Sequence, residues 1–277
     1  SWSSIFNGYE KKLMKDCGFP AIPIYLSKQN FPKDCIKNAE VSHIWTQNYQ
    51  ISEKIAKTCR IKNISKNYSD MVGKVDALLL ARDDAENHLK FCLPYLEAGI
   101  PIYIDKPFSL KVSDANKILS YQKFPGQIFT CSALLFADEF KLKEIDLEYI
   151  GKIKSIEGIS PKSWDKYSVH LIDPIFQIIK DKVKVKKHQK FISNNIHRLN
   201  VIFENDIDVQ ISTYGNLNVP IMLKIYGKKN NLSLKFNDPF SAFKKALECF
   251  VESVRSGEQK VDFRNLIEVV RLIELGR

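Results

Sequence analysis

Residues 75–107 decide the fold: Val75-Asp76-Ala77-Leu78-Leu79-Leu80-Ala81-Arg82-Asp83-Asp84 at one end, Ile100-Pro101-Ile102-Tyr103-Ile104-Asp105-Lys106-Pro107 at the other. Val75 to Ala81 is an apolar run with almost no alternation, the pattern of a strand buried on both faces. Arg82-Asp83-Asp84 ends it, and an Asp before an apolar-periodic segment predicts a helix N-cap. Leu89, Cys92, Leu93 and Leu96 follow at helical spacing, with Pro94 expected to bend the helix and Gly99 placed as its left-handed terminator. Ile100 to Ile104 is a second buried strand, broken by Asp105-Lys106-Pro107. Strand, crossover helix and strand make a parallel βαβ unit. The polar residues collect at the carboxyl ends of both strands, the edge at which open α/β sheets bind ligands.

Composition bounds the rest. The 277 residues can bury one large or two modest domains, and the formal net charge is +10. That charge invites an anionic partner, but Lys outnumbers Arg and the basic residues are scattered. Lys184, Lys186 and Lys187 alternate with Val183 and Val185, as on the solvated face of an edge strand, so a nucleic-acid partner is not expected. Cys17, Cys35, Cys59, Cys92, Cys131 and Cys249 include no CxxC pair and no His cluster at metal spacing, which points to reduced, packed thiols, no metal and a cytoplasmic chain. With no long apolar span, no membrane partner is expected.

The βαβ stretch with its Asp105-Lys106-Pro107 ending resembles the fourth and fifth strands of the Gfo/Idh/MocA dehydrogenases, the family of glucose–fructose oxidoreductase and inositol dehydrogenase. Members usually carry Glu-Lys-Pro where this chain has Asp105-Lys106-Pro107. The resemblance implies a Rossmann-like parallel dinucleotide-binding sheet followed by a domain with a mostly antiparallel open sheet. It implies a Lys106 beside the nicotinamide and the substrate hydroxyl, often after a cis Lys–Pro bond. It also implies cofactor contacts from Thr46, Ala81, Arg82, Asp83, His88, Asp105, Lys106 and Pro107. No G-x-G-x-x-G occurs, so the first strand and its phosphate loop are expected to precede Ser1. His88 reads equally well as a helix-surface residue.

Elsewhere in the first part, Tyr9 to Asn38 holds Pro20, Pro23 and Pro32 and reads as an irregular connection with a short extended piece at Ile22 to Leu26. Glu40 to Trp45 is the second strand, with His43 packed. Relatives end this strand on an Asp that grips the ribose; Thr46 stands there instead, which leaves NAD and NADP both open. Ser52 to Cys59 is a helix, Ile61 to Ile64 a short strand, Tyr68 to Met71 a short helix, Ser109 to Tyr121 a helix and Gln127 to Ser132 the last strand. Relatives begin a long helix where Ala133 to Phe136 stands. Residues 1–135 are therefore expected to form the dinucleotide-binding domain and 136–277 the substrate and oligomerisation domain.

In the second part, Ile150 to Gly158 matches the family's entry strand. Hairpin spacing from Gln189 to Phe236 predicts a predominantly antiparallel sheet, open on one face and suited to a homo-oligomer. Phe240 to Ser256 and Asn265 to Leu275 are helices, the last expected to return to the first domain. Between the strands, Val169, Ile172 and Phe176 keep helical spacing, so His170 and Asp173 share one helix face. By the resemblance, His170 exchanges the proton of the hydroxyl being oxidised and Asp173 contacts substrate. Where many members carry an Asp four residues before that His, this chain has Lys166. Either Asp165 shifts in, or Lys166 and Tyr167 take the role. Imidazole titrates near neutrality and a nearby lysine stabilises an alkoxide, which suits hydride transfer at a secondary alcohol of a sugar, cyclitol or sugar nucleotide. A dinucleotide-binding regulator, or a lyase or glycosidase that uses the cofactor transiently, stays open as the alternative.

Overall fold

The computed structural model describes residues 1–180, 183–261 and 263–277. The chain opens with helices α1 (Trp2–Asn7), α2 (Lys11–Met14) and α3 (Ala21–Ser27), then strand β1 (His43–Ile44), α4 (Tyr49–Cys59) and β2 (Asn63–Ile64). Next come β3 (Leu78–Leu80), α5 (His88–Glu97), β4 (Ile102–Ile104), α6 (Val112–Leu119) and β5 (Ile128–Phe129). The strands β3, β4 and β5 form a parallel sheet in that order, and β1 pairs parallel with β2. The burial of Ile102, Tyr103 and Ile104 on both sheet faces explains why this stretch reads as unbroken hydrophobicity.

The chain continues through α7 (Glu144–Ile150), β6 (Ile153–Ser160), α8 (Trp164–Tyr167) and α9 (Val169–Ile179). Strands β7 (Val185–Ser193), β8 (Ile196–Phe203), β9 (Asp208–Thr213), β10 (Met222–Gly227) and β11 (Asn231–Lys235) follow, then helices α10 (Pro239–Ser256) and α11 (Leu266–Gly276). Six strands form one sheet in the order β11-β10-β6-β9-β8-β7. All its pairings are antiparallel except β6 with β9. The lysine-rich β7 is an edge strand, with almost every residue exposed.

Helix α9 is buried nearly all round and lies on the inner face of this sheet, where Gly158 makes room for it. A Cβ at Gly158 would stand 3.3 Å from a Leu171 methyl and 3.1 Å from one of Leu223. One core joins α9 to Leu199, Val201, Phe203, Val209, Ile211, Leu223 and Ile225 of the strands.

Four local expectations are corrected. Ile22 to Leu26 is helical, not extended: Pro20 caps α3 and Pro23 sits in its first turn, where a missing N–H costs no hydrogen bond. Tyr68 to Met71 is a turn rather than a helix, tied by the Asp70 carboxylate to the Asn67 amide at 2.8 Å. Ala133 to Phe136 is one 3-10 turn, followed by another at Asp138–Phe140, rather than the start of a long helix. Asp84 makes no N-cap bond, because its carboxylate is committed to Arg82 and to Asn87 Nδ2 at 2.8 Å.

Candidate active site

The parallel strands deliver their carboxyl ends to one edge. Lys106 follows β4, and the Lys106–Pro107 peptide bond is cis. Asp105 accepts the Lys106 amide at 2.8 Å through Oδ1, and burial pushes its carboxyl up to about 6 against the pull of the lysine. The Lys106 ammonium donates to the Lys166 carbonyl at 3.4 Å and stands 5.7 Å from the centre of the Tyr167 ring. Lys106 therefore reaches from the parallel sheet to the α8–α9 junction, where His170 begins.

His170 lies in the first turn of α9, 7% exposed. Its Nδ1 is 2.7 Å from Ser132 Oγ, and the Tyr167 ring meets it edge-on at 5.1 Å. Burial, and then the charge of Lys106, hold the imidazole well below its ordinary pKa. One turn on, the Asp173 carboxylate accepts the Ser132 amide, yet burial raises its pKa to about 7. Ser132, just past the end of β5, thus joins both α9 residues to the parallel sheet.

Of the two options for the position before the histidine, Asp165 is drawn off to Arg277, 3.1 Å away. Lys166 instead bridges to Asp83 at 2.9 Å, across from the end of β3. That hydrogen bond raises the Lys166 pKa, and burial raises that of Tyr167.

The remaining sequence candidates sit farther along the edge. Ala81 is exposed and Pro107 buried. Arg82 pairs with Asp84 and lies 4.2 Å over the Phe91 ring, which packs against Trp45 and Tyr68. His88 is fully buried, with Nε2 2.9 Å from the Arg82 carbonyl and Nδ1 3.1 Å from that of Phe108. It braces the loops after β3 and β4 from beneath rather than facing the cleft. Thr46 follows β1 and donates Oγ1 to the Asn48 carbonyl at 2.7 Å, beside Ser52 Oγ at 2.9 Å. A groove of about 600 Å³ between residues 33–37 and α10 includes none of these residues.

The sequence reading missed Ser132. A lone serine in an apolar run carries no periodic signal, although its place beyond a parallel strand could have marked it. The edge fits a dinucleotide in kind. Thr46 and Arg82 would flank the adenosine end, and Lys106 and His170 the nicotinamide end. Among the described residues, no carboxylate and no side-chain hydrogen-bond acceptor takes up the Lys106 ammonium.

Residues 25–131 match the model for an oxidoreductase family with an NAD-binding Rossmann fold, Gfo/Idh/MocA. A comparison with curated proteins gives no significant match. Among solved structures, myo-inositol 2-dehydrogenase from Lactobacillus plantarum is 15% identical, with a TM-score of 0.72 over 86% of this chain and 88% of that one. An oxidoreductase from Thermotoga maritima is 16% identical, with a TM-score of 0.73 over 86% and 87%. Scyllo-inositol dehydrogenase from Lactobacillus casei, solved with NAD(H) and scyllo-inositol, is 14% identical, with a TM-score of 0.70 over 86% and 88%. Over residues 25–131 the chain resembles in sequence the NAD-binding domain of the Gfo/Idh/MocA oxidoreductases, and over both its sheets it shares the fold of these solved dehydrogenases.

Proposed function

We propose that the protein is an NAD(P)-dependent oxidoreductase that interconverts a secondary hydroxyl and a ketone on a sugar, cyclitol or sugar-nucleotide substrate. The observation that carries this is the convergence of Lys106, from the edge of the parallel sheet, and His170, from α9 on the other sheet, on one cleft. A bound nicotinamide would supply or accept the hydride. The chain's own residues handle the substrate oxygen. Lys106 places a positive charge where alkoxide character develops, and charges fixed in advance at such a point account for much of the rate enhancement in many active sites. His170 addresses the same oxygen, Asp173 and Tyr167 fix its surroundings, and the Lys166–Asp83 pair closes the cleft at its rim. The open outer face of the six-stranded sheet, with Phe191 and Ile202 exposed, suits self-association, which sedimentation would measure.

The test is reduction of NAD(P) by full-length protein on a panel of polyols and nucleotide sugars. His170→Ala is expected to lose ~10²–10⁴ in rate while keeping dinucleotide affinity. Lys106→Ala should lose at least as much, and the double variant less than the sum of the two losses, as for groups serving one transition state. A non-catalytic dinucleotide-binding regulator would show no substrate-dependent hydride transfer in any variant. Wild-type rates in His170→Ala would remove the imidazole and leave Tyr167 and Lys166 as the groups to examine.

A further inference from the structure

Ser132 has two hydrogen-bond neighbours at one oxygen. The Leu134 amide lies 3.1 Å from Oγ and, as an N–H, can only donate to it. His170 Nδ1 lies 2.7 Å away, and that bond could run in either direction. If Nδ1–H were the donor, the Ser132 hydroxyl proton would have no acceptor among the described residues, in a side chain with no exposure at all. An unmatched buried donor is costly. If the hydroxyl donates to Nδ1, every group is satisfied: Oγ accepts from Leu134 and gives to the imidazole. The remaining ring proton then sits on Nε2. That nitrogen has no protein partner among the described residues and is not one of the sealed-off polar atoms, so it keeps some access to solvent.

We propose that Ser132 is a positioning residue that fixes His170 as the neutral Nε2–H tautomer, so that the imidazole meets the substrate oxygen as a hydrogen-bond donor and Lys106 carries the proton. This rests on the oxidoreductase reading above. The groups facing the ring agree with it. Lys106 opposes a charge on the imidazole, Tyr167 presents a ring, and the Asp173 carboxyl is held away on the Ser132 amide. Among the described residues, no carboxylate is bonded to His170 that would favour imidazolium. In the reductive direction the substrate's carbonyl carbon takes up the hydride of a reduced nicotinamide, and the C=O electron pair moves to oxygen. The oxygen takes a proton from Lys106 Nζ, whose N–H bond breaks to leave a neutral amine that is reprotonated from water. His170 bonds to the developing alkoxide through Nε2–H and keeps its proton. Oxidation is the reverse of these steps.

The tautomer can be read without turnover. Long-range ¹H–¹⁵N correlation spectra of ¹⁵N-labelled full-length protein at neutral pH, with the His170 signal assigned by its loss in His170→Gln, should show Nε2 protonated and Nδ1 bare. A protonated Nδ1, in either the other neutral tautomer or an imidazolium, would overturn the proposal. Ser132→Ala should give mixed tautomers, and Ser132→Thr should restore the single form; an unchanged spectrum in Ser132→Ala would show that Ser132 does not set it. In turnover, Ser132→Ala should lower kcat by about ten- to a hundredfold, by analogy with the loss when the groups that orient metal-bound imidazoles from behind are removed. The KM for dinucleotide should stay put and Ser132→Thr should recover most of the loss. Loss of kcat that Ser132→Thr does not recover would count against the hydroxyl. If no substrate in the panel is turned over, the oxidoreductase reading fails, and the wild-type spectrum still decides the tautomer.

Discussion

Asp173 shows how a single buried group writes itself into the protein's response to pH. Its carboxyl titrates near 7 when folded and near 3.8 when the chain is unfolded. A raised carboxyl contributes stability that is complete below the unfolded pKa and is lost as pH rises through the folded one, because the native state holds the proton longer. His170 and His88 act in the opposite sense. Burial depresses both, so their contribution is present above about 6.5 and falls away as pH drops. Asp173→Asn keeps an acceptor for the Ser132 amide but cannot ionise. Its stability relative to wild type should therefore climb by at most ~1.4 kcal/mol per pH unit between about pH 4 and 7. Urea unfolding at pH 5 and pH 7 measures this, and a pH-independent difference would show that the carboxyl is not protonated in the native state. Thr46 carries a second residue-scale expectation. Without an acid at that place nothing repels a 2′-phosphate, so NADP should bind within about an order of magnitude of NAD, or ~1.4 kcal/mol. A calorimetric titration of each into full-length protein tests it, and a large NAD preference would mean another residue grips the ribose. At this scale the place of Lys106 beyond a parallel strand and of His170 and Asp173 on one helix face was legible from strand order and helical spacing, while their roles rest on the family resemblance. Ser132 and the bracing role of His88 were not, since both depend on partners distant in sequence.

Elements place those residues, and close approaches between them are paid in glycine. The end of α11 lies against the Trp164 ring, and a Cβ at Gly276 would fall 2.0 Å from Cζ2. The ring cannot give way easily: it is almost fully buried, and its Nε1 donates to the Ile273 carbonyl at 2.8 Å. Trp164 opens α8, the turn that carries Lys166 and Tyr167, so α11 buttresses the site from behind. Gly276→Ala should cost ~1–3 kcal/mol, the usual range for overpacking, and should lower turnover although residue 276 is not one of the site residues. Thermal unfolding of this variant beside Gly158→Ala, whose added methyl meets Leu223 and Leu171 side-chain atoms no closer than 3.1 Å rather than a ring at 2.0 Å, is the measurement. Equal, small losses in both would mean that the α11 terminus shifts freely. The elements most exposed to misreading were those whose pattern local geometry overrides. Three prolines between Tyr9 and Asn38 suggested an irregular chain, yet two of them fall at the start of α3, where proline is harmless. The strands and α9 were legible because burial on both sides leaves no polar face to blur the pattern.

For the whole molecule, the question is whether the two sheets unfold together. We propose the boundary near residue 135, where the chain leaves the parallel sheet, but the cores do not respect it. Trp2, Ile5, Tyr103 and Phe129 pack in one cluster with Phe240, Leu247 and Phe250 of α10. The Tyr103 ring lies tilted 5.5 Å from that of Phe250, and Val270 of α11 lies in the core of β3, β4 and α5. Ala85 and Leu110 in turn belong to the core around α9. Such links between distant parts of the chain leave no trace in local periodicity, which is why the sequence showed two sheets but not how tightly they share helices. Each large buried aromatic contributes a few kcal/mol on the ~25 cal/mol per Å² scale, a large share of a typical net stability of ~5–15 kcal/mol. Residues 1–135 alone would leave the faces covered by α10 and α11 open to water. The full chain should therefore unfold in one transition. Trp45 fluorescence, isolated by Trp2→Phe and Trp164→Phe, should share its urea midpoint with Trp164 fluorescence, isolated by Trp2→Phe and Trp45→Phe, once each is referred to far-UV dichroism of the same variant. A fragment ending at residue 135 should show no cooperative transition at all. Two separated midpoints, or a fragment that folds by itself, would mean that α10 and α11 are peripheral to the first domain and that its parallel strands suffice.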